Sequence, residues 1–150
     1  MVKSLLNELA SLYGINLPIE SDDDNFSLKF NNDVEIHIYP SKDKNIIHMF
    51  SLIHEINGSE NKLNILEYVL KLQLMGVRSR NNSFGLSDDG RRIYIYRNID
   101  INNISPEAYI EAVKDLSISS EHTRHEVREL NMDPQLFTED QSNNHFCNFV

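Results

Sequence analysis

The segment Lys62–Met75, KLNILEYVLKLQLM, constrains the fold more than any other part of the chain, because it is apolar around too much of its circumference. At about 100° per residue, an α-helix here gathers Asn64, Glu67 and Lys71 on one narrow side. Leu63, Ile65, Leu66, Val69, Leu70, Leu72, Leu74 and Met75 fill most of the rest, with Tyr68 beside the polar strip and Gln73 alone among them. A helix packed on one core needs a stripe of roughly 100°, and this one has about twice that. The surplus face requires a second partner, and a second copy of the chain fits best. Leu63, Leu66, Val69, Leu70, Gln73 and Leu74 are the expected interface residues.

The flanking patterns supply the other elements. Val2, Leu5, Leu6, Leu9, Leu12 and Tyr13 share one face of an N-terminal helix that Gly14 ends. Phe26, Leu28 and Phe30 alternate with Ser27 and Lys29, and Val34, Ile36 and Ile38 alternate with Glu35, His37 and Tyr39, which predicts two half-buried strands around an Asn-Asn-Asp turn. IIHMFSLI is apolar on both faces and is expected to be a central strand. Ser83–Ser87, the turn Asp88-Asp89-Gly90 and Arg91–Arg97 predict a second hairpin, and 98–103 a loop. Ser105 followed by Pro106 marks the start of a last helix, expected to fade between Ser119 and Leu130. The order α-β-β-β-α-β-β-α, with strands in runs, predicts an α+β fold with a twisted, mostly antiparallel sheet and helices packed on it. Residues 1–130 form the expected domain and 131–150 a flexible tail.

Composition narrows function. A net charge of −9 disfavours nucleic acid and anionic membranes, because such binding draws its affinity from neutralising phosphates. Five of the seven arginines (78, 80, 91, 92 and 97) lie within twenty residues, which reads as a solvated hairpin rim rather than a polyanion site. No apolar run is long enough to span a membrane, no signal peptide is evident, and one cysteine permits no internal disulfide; the expected compartment is the cytosol.

Catalytic chemistry finds little to stand on. No glycine pattern cradles phosphate. His122 and His125 among Glu121, Glu126 and Glu129 lack an HExxH or a Cys/His set, and they read as an exposed polar helix face. Cys147, with His145 two residues before it, lies at the chain end, without the rigid base and oxyanion donors that a nucleophile needs. Asp22–Asp24 are consecutive rather than alternate, unlike a calcium loop. No catalytic residue, cofactor or metal is expected.

At this point LLNELASLYGINLP, FSLKFNNDVEIHIYP, LEYVLKLQLMG and SFGLSDDGRRIYIYRNIDINNISPEAYIEAV, in that order, resemble class I type III secretion chaperones, the Tir chaperone family. The chain departs from the family in having Leu72-Gln73-Leu74 late in the long helix and an Arg- and Asn-rich connection after it. The resemblance implies a homodimer around the second helix. It also implies an ATP-independent chaperone that holds the N-terminal region of a secreted effector in extended form, by strand addition and groove filling. It places Leu5, Leu9, Phe26, Leu28, Ile36, Ile38, Ile93 and Ile95 on the effector-binding elements. A regulatory protein-binding module of the same fold, motivated by the arginines and the tail, is the alternative. A small hydrolase or metal enzyme using the C-terminal histidines is a third.

Overall fold

In the computed structural model, the described residues are 25–30, 34–43, 45–58, 61–76 and 78–132, together with Ser4, Asn7, Glu8 and Ser11, which are helical and exposed. The elements are β1 (Phe26–Lys29), β2 (Glu35–Pro40), β3 (Ile46–Glu55), α1 (Lys62–Gln73), β4 (Ser83–Leu86), β5 (Arg92–Asp100) and α2 (Pro106–Met132). They form an α+β fold with one five-stranded sheet, order β1-β2-β3-β5-β4, in which every neighbouring pair is antiparallel.

Strand alternation builds the core. Leu28, Ile36, Ile38, Ile47, Met49, Ile93, Ile95 and Ile99 project from one face and are buried with Ile65, Val69 and Leu72 of α1 and Tyr109, Val113, Leu116 and Val127 of α2. β3 is central, between β2 and β5, as its two apolar faces require. A bulge at Leu52–His54 breaks its register with β5, and Arg124 of α2 donates to the Leu52 carbonyl at 3.3 Å. The bulge thereby ties α2 across the sheet.

Caps fix the helix starts. The Asn61 side chain accepts from the Asn64 N–H at the head of α1, and Ser105 Oγ accepts from the Ala108 N–H at the head of α2, as Ser105-Pro106 predicts. α1 closes through a 3-10 turn, Leu74–Gly76, whose glycine sits at φ +70. Gly90, also at φ +70, makes the β4–β5 turn.

Two expectations change. The last helix does not fade after Ser119 but runs to Met132. Ser119, Ser120 and Thr123 are buried there, and Ser119 bonds to Ser79 and Asn82 of the connection between α1 and β4. β5 runs to Asp100 rather than ending at Arg97, because Asn98 and Ile99 still pair with β3 and only Ile101–Asn103 turn away. Asn131 and Met132 of the expected tail end α2, while residues 133–150 and most of the expected N-terminal helix lie outside the described residues.

Candidate functional site

α1 shows what the sequence required and places it. Ile65, Tyr68, Val69 and Leu72 face the core, while Leu63, Leu70 and Leu74 are 74, 67 and 67% exposed. These three fall within about 40° of one another on the helical wheel, opposite the core side. Of the expected interface residues, Leu66 is half-buried against the core and Val69 lies within it. On one flank of the stripe Lys71 pairs with Glu67 at 2.7 Å. On the other, Gln73 Oε1 accepts from the Phe84 N–H of β4 at 2.8 Å.

That last bond distinguishes the two sheet edges. β4 is an edge strand, and an unpaired edge is a template for another chain. Gln73 occupies the outward Phe84 N–H, at the strand's second residue. β1 is the opposite edge, and no strand lies beyond it among the described residues. Phe26 and Phe30 are partly buried against the core at that edge.

The open face of the sheet carries rings. His37 stacks on Phe50 with centroids 5.0 Å apart, Tyr39 lies 5.0 Å from His48 and 5.8 Å from Phe50, and Phe50 meets Tyr94 edge-on at 5.8 Å. Asn98 Oδ1 lies 2.8 Å from His48 Nδ1, and Ser27 Oγ lies 3.1 Å from His37 Nδ1 and donates to Glu35. Gly85 has no side chain to fill the space beside Tyr96, whose ring is 3.5 Å from where a Cβ would stand. A shallow cleft of about 430 Å³ results, lined by Tyr39, His48, Phe50, Tyr94, Tyr96 and Leu86 among others.

The aliphatic residues assigned to cargo by resemblance lie on the other face. Leu28, Ile36, Ile38, Ile93 and Ile95 are 0–1% exposed and closed beneath the helices. Phe26 alone of the described set reaches the border of the surface, and Leu5 and Leu9 lie outside the described residues. The alternation marked both strand faces as partly apolar; the ring set carries polar tips suited to water, and this was the available signal for the open face.

The remaining candidates separate. Arg80 pairs with Asp115 at 3.0 Å, whereas Arg92 lies 3.9 Å from Glu55 at the far end of β4 and β5, so these arginines form no single patch. His122 and His125 lie 3.3 and 3.6 Å from Glu126 and Glu129 in separate pairs one helical turn long. Among the described residues no group of three or more His, Cys, Asp or Glu is placed to hold a metal, and no helix is long and apolar enough to cross a membrane. Cys147 and His145 lie outside the described residues. Burial, with Glu129 nearby, pushes the Glu126 carboxyl up to about 6, and burial raises the Tyr109 phenol.

A model of the Tir chaperone protein (CesT) family matches residues 4–124. Similar solved structures include a chain of the ExsC–ExsE complex, with TM-score 0.64 and 15% identity over 83% of this chain and 91% of that one. The Yersinia pestis type III secretion chaperone SycH, in complex with a stable fragment of YscM2, gives 0.60 and 16% over 82% and 99%. The HopA1–SchA chaperone–effector complex gives 0.59 and 13% over 85% and 92%. No curated protein matches the chain in sequence.

Proposed function

The chain belongs to the Tir chaperone protein (CesT) family, and on that premise we propose that it is a homodimeric, ATP-independent chaperone of the bacterial cytoplasm. Its cargo is the N-terminal segment of a type III secreted effector, kept partly unfolded and competent for secretion. Similar folds occur in a type III secretion chaperone bound to a protein fragment and in a chaperone–effector complex. Residues 1–130 act as the chaperone domain, and 131–150 as an appended tail.

The observation that carries the cargo reading is the asymmetry of the sheet edges. Gln73 caps β4, so an added strand goes to β1. Main-chain bonds to β1 give affinity that tolerates many sequences, and side-chain pockets beside it give selectivity. Phe26 and Phe30 border that edge, and Leu5 and Leu9, on the helix expected from the sequence, keep the cargo role that the family resemblance assigns them. Leu28, Ile36, Ile38, Ile93 and Ile95 support this surface from the core rather than touch cargo. Ordering an extended segment costs about 2–5 kcal/mol or more of the gross interaction energy. Two β1 edges in one dimer offset this by making the second contact intramolecular. No catalytic residue and no cofactor is needed.

Co-expression with the N-terminal segments of type III secreted proteins from the same organism tests the reading. The expected product is a complex of two 17.4 kDa chains and one segment by light scattering. Failure of every such segment to co-purify overturns the chaperone assignment.

A further inference from the structure

Residues 133–150 follow α2, and the fold fixes where they start. Asn131 Nδ2 lies 3.5 Å from His54 Nε2, so α2 ends at the last residues of β3. That end of the sheet is also its arginine corner. Ile93 stands opposite His54 and Arg92 opposite Glu55, and the Ile56 N–H donates to the Arg91 carbonyl at 2.6 Å. Neither guanidinium is closely paired. Arg92 lies 3.9 Å from Glu55, and Arg91 has no ion pair among the described residues. Asp89 of the nearby turn instead accepts from Ser87 Oγ and from the Arg91 backbone N–H. Arg92 reaches onto the open face, where its guanidinium meets the Tyr94 phenol at the border of the ring-lined cleft.

The segment that leaves this corner is complementary to what it meets. It holds no lysine or arginine; its charges are Asp133, Glu139 and Asp140, with Phe146, Phe149 and Val150 beyond them. At about 3.3 Å per extended residue, 133–140 span up to about 26 Å, more than the roughly 10 Å between packed sheet layers. Glu139 and Asp140 therefore reach Arg91 and Arg92 as the chain rounds the end of the sheet. Arg92 and Tyr96 stand about 13 Å apart along β5 at the usual strand rise, so the residues that follow arrive over the cleft. Carboxylates then meet arginines, and rings meet rings. A short tether sets an effective concentration on the order of mM, so weak contacts suffice to hold the segment. The leucine stripe of α1 is a poorer seat, because Lys71 beside it is already paired with Glu67 at 2.7 Å.

We propose that residues 133–150 fold back around the Arg91–Arg92 corner onto the open sheet face of the same chain, with Glu139 and Asp140 on the arginines and Phe146 and Phe149 in the ring-lined cleft. The segment then acts as a strap that shields this face from other chains. The inference stands apart from the chaperone and dimer readings above. The lone Cys147, next to Phe146, supplies the probe. Ser83→Cys puts a second thiol on the open face opposite Tyr96 and leaves every ring of the cleft in place. Leu70→Cys puts one on the exposed stripe of α1 as the control. The full-length variants are oxidised with glutathione disulfide at low protein concentration, and the intramolecular disulfide is followed by its mobility on non-reducing gels. The expected rate is several-fold higher for Ser83→Cys than for Leu70→Cys. It falls several-fold when Phe146→Ser and Phe149→Ser are added, and likewise with Glu139→Lys and Asp140→Lys. Equal rates at the two positions, a faster Leu70→Cys, or a Ser83→Cys rate that neither pair of substitutions lowers overturns the proposal. So does a Ser83→Cys product that joins two chains rather than closing one.

Discussion

Replacing Leu70 with alanine separates a residue that holds two chains together from one that holds a single chain folded. Leu70 is 67% exposed and points away from the core, whereas Leu72, two residues on, is 4% exposed within it. Shortening Leu70 removes three carbons that only a partner covers. At about 0.8 kcal/mol per buried methylene, complete burial gives roughly 2.4 kcal/mol for each copy. A two-fold interface contains the site twice, so the loss approaches roughly 4–5 kcal/mol per dimer, about three powers of ten in Kd. The monomer barely changes, because alanine is the best helix former and exposed substitutions shift stability by about 0.5 kcal/mol or less. Leu72→Ala does the reverse and costs the fold about 2–5 kcal/mol. Sedimentation equilibrium across a dilution series reads the first quantity, and urea unfolding below the dissociation concentration reads the second. A Leu70→Ala dimer weakened less than about tenfold, or a monomer destabilised by more than about 2 kcal/mol, would refute the reasoning.

Other perturbations follow from named contacts. Gln73→Leu removes the acceptor of the Phe84 N–H and should lower stability by about 1–3 kcal/mol, with faster hydrogen exchange at Phe84; unchanged exchange there contradicts the edge-capping role. Glu126, raised to about 6 chiefly by burial and then by Glu129, lies 3.3 Å from His122 Nδ1. Because its folded pKa exceeds the usual 4.5, native protein holds a proton that the unfolded chain has released between those values. Its stability cost is present above about pH 6, falls away as pH drops through that value, and is gone below about 4.5. Glu126→Gln should therefore be more stable than the parent at pH 7 by on the order of 1 kcal/mol after solvent screening, with the difference closing at low pH. Urea midpoints over pH 4–8 that run parallel for the two proteins would refute this.

How far the sequence could be read depended on what kind of signal each element carried. Strand and helix order came from periodicity and turn chemistry, and Ser105-Pro106, Gly76 and Asp-Gly at 89–90 fixed ends that the structure keeps. The surplus face of α1 was legible because eight large apolar residues cannot all reach one core. Which face of the sheet stays open was not legible in the same way. Ile36 and Ile38 alternate with His37 and Tyr39, and both sets are partly apolar, so the pattern gives a period without a direction. The polar tips of His37 and Tyr39 hint at the open face, and burial of Ile36, Ile38, Ile93 and Ile95 in one core with the helices decides it. The second half of α2 was missed for a related reason. Ser119, Ser120 and Thr123 read as weak helix formers, yet all three are buried, Ser119 bonded to Ser79 and Asn82 of the connection after α1 and Ser120 to the Leu116 carbonyl of its own helix. Gln73 read as an interface residue, and its bond to the β4 edge exists only in three dimensions.

Hydrogen exchange on the complex with a bound effector segment tests the chaperone account most directly. Amides of Phe26–Lys29 should gain protection while those of Ser83–Leu86 do not, and the effector's own amides outside the added strand should stay fast. Protection gained on β4 instead of β1, or an effector segment slowed throughout like a folded domain, would contradict it.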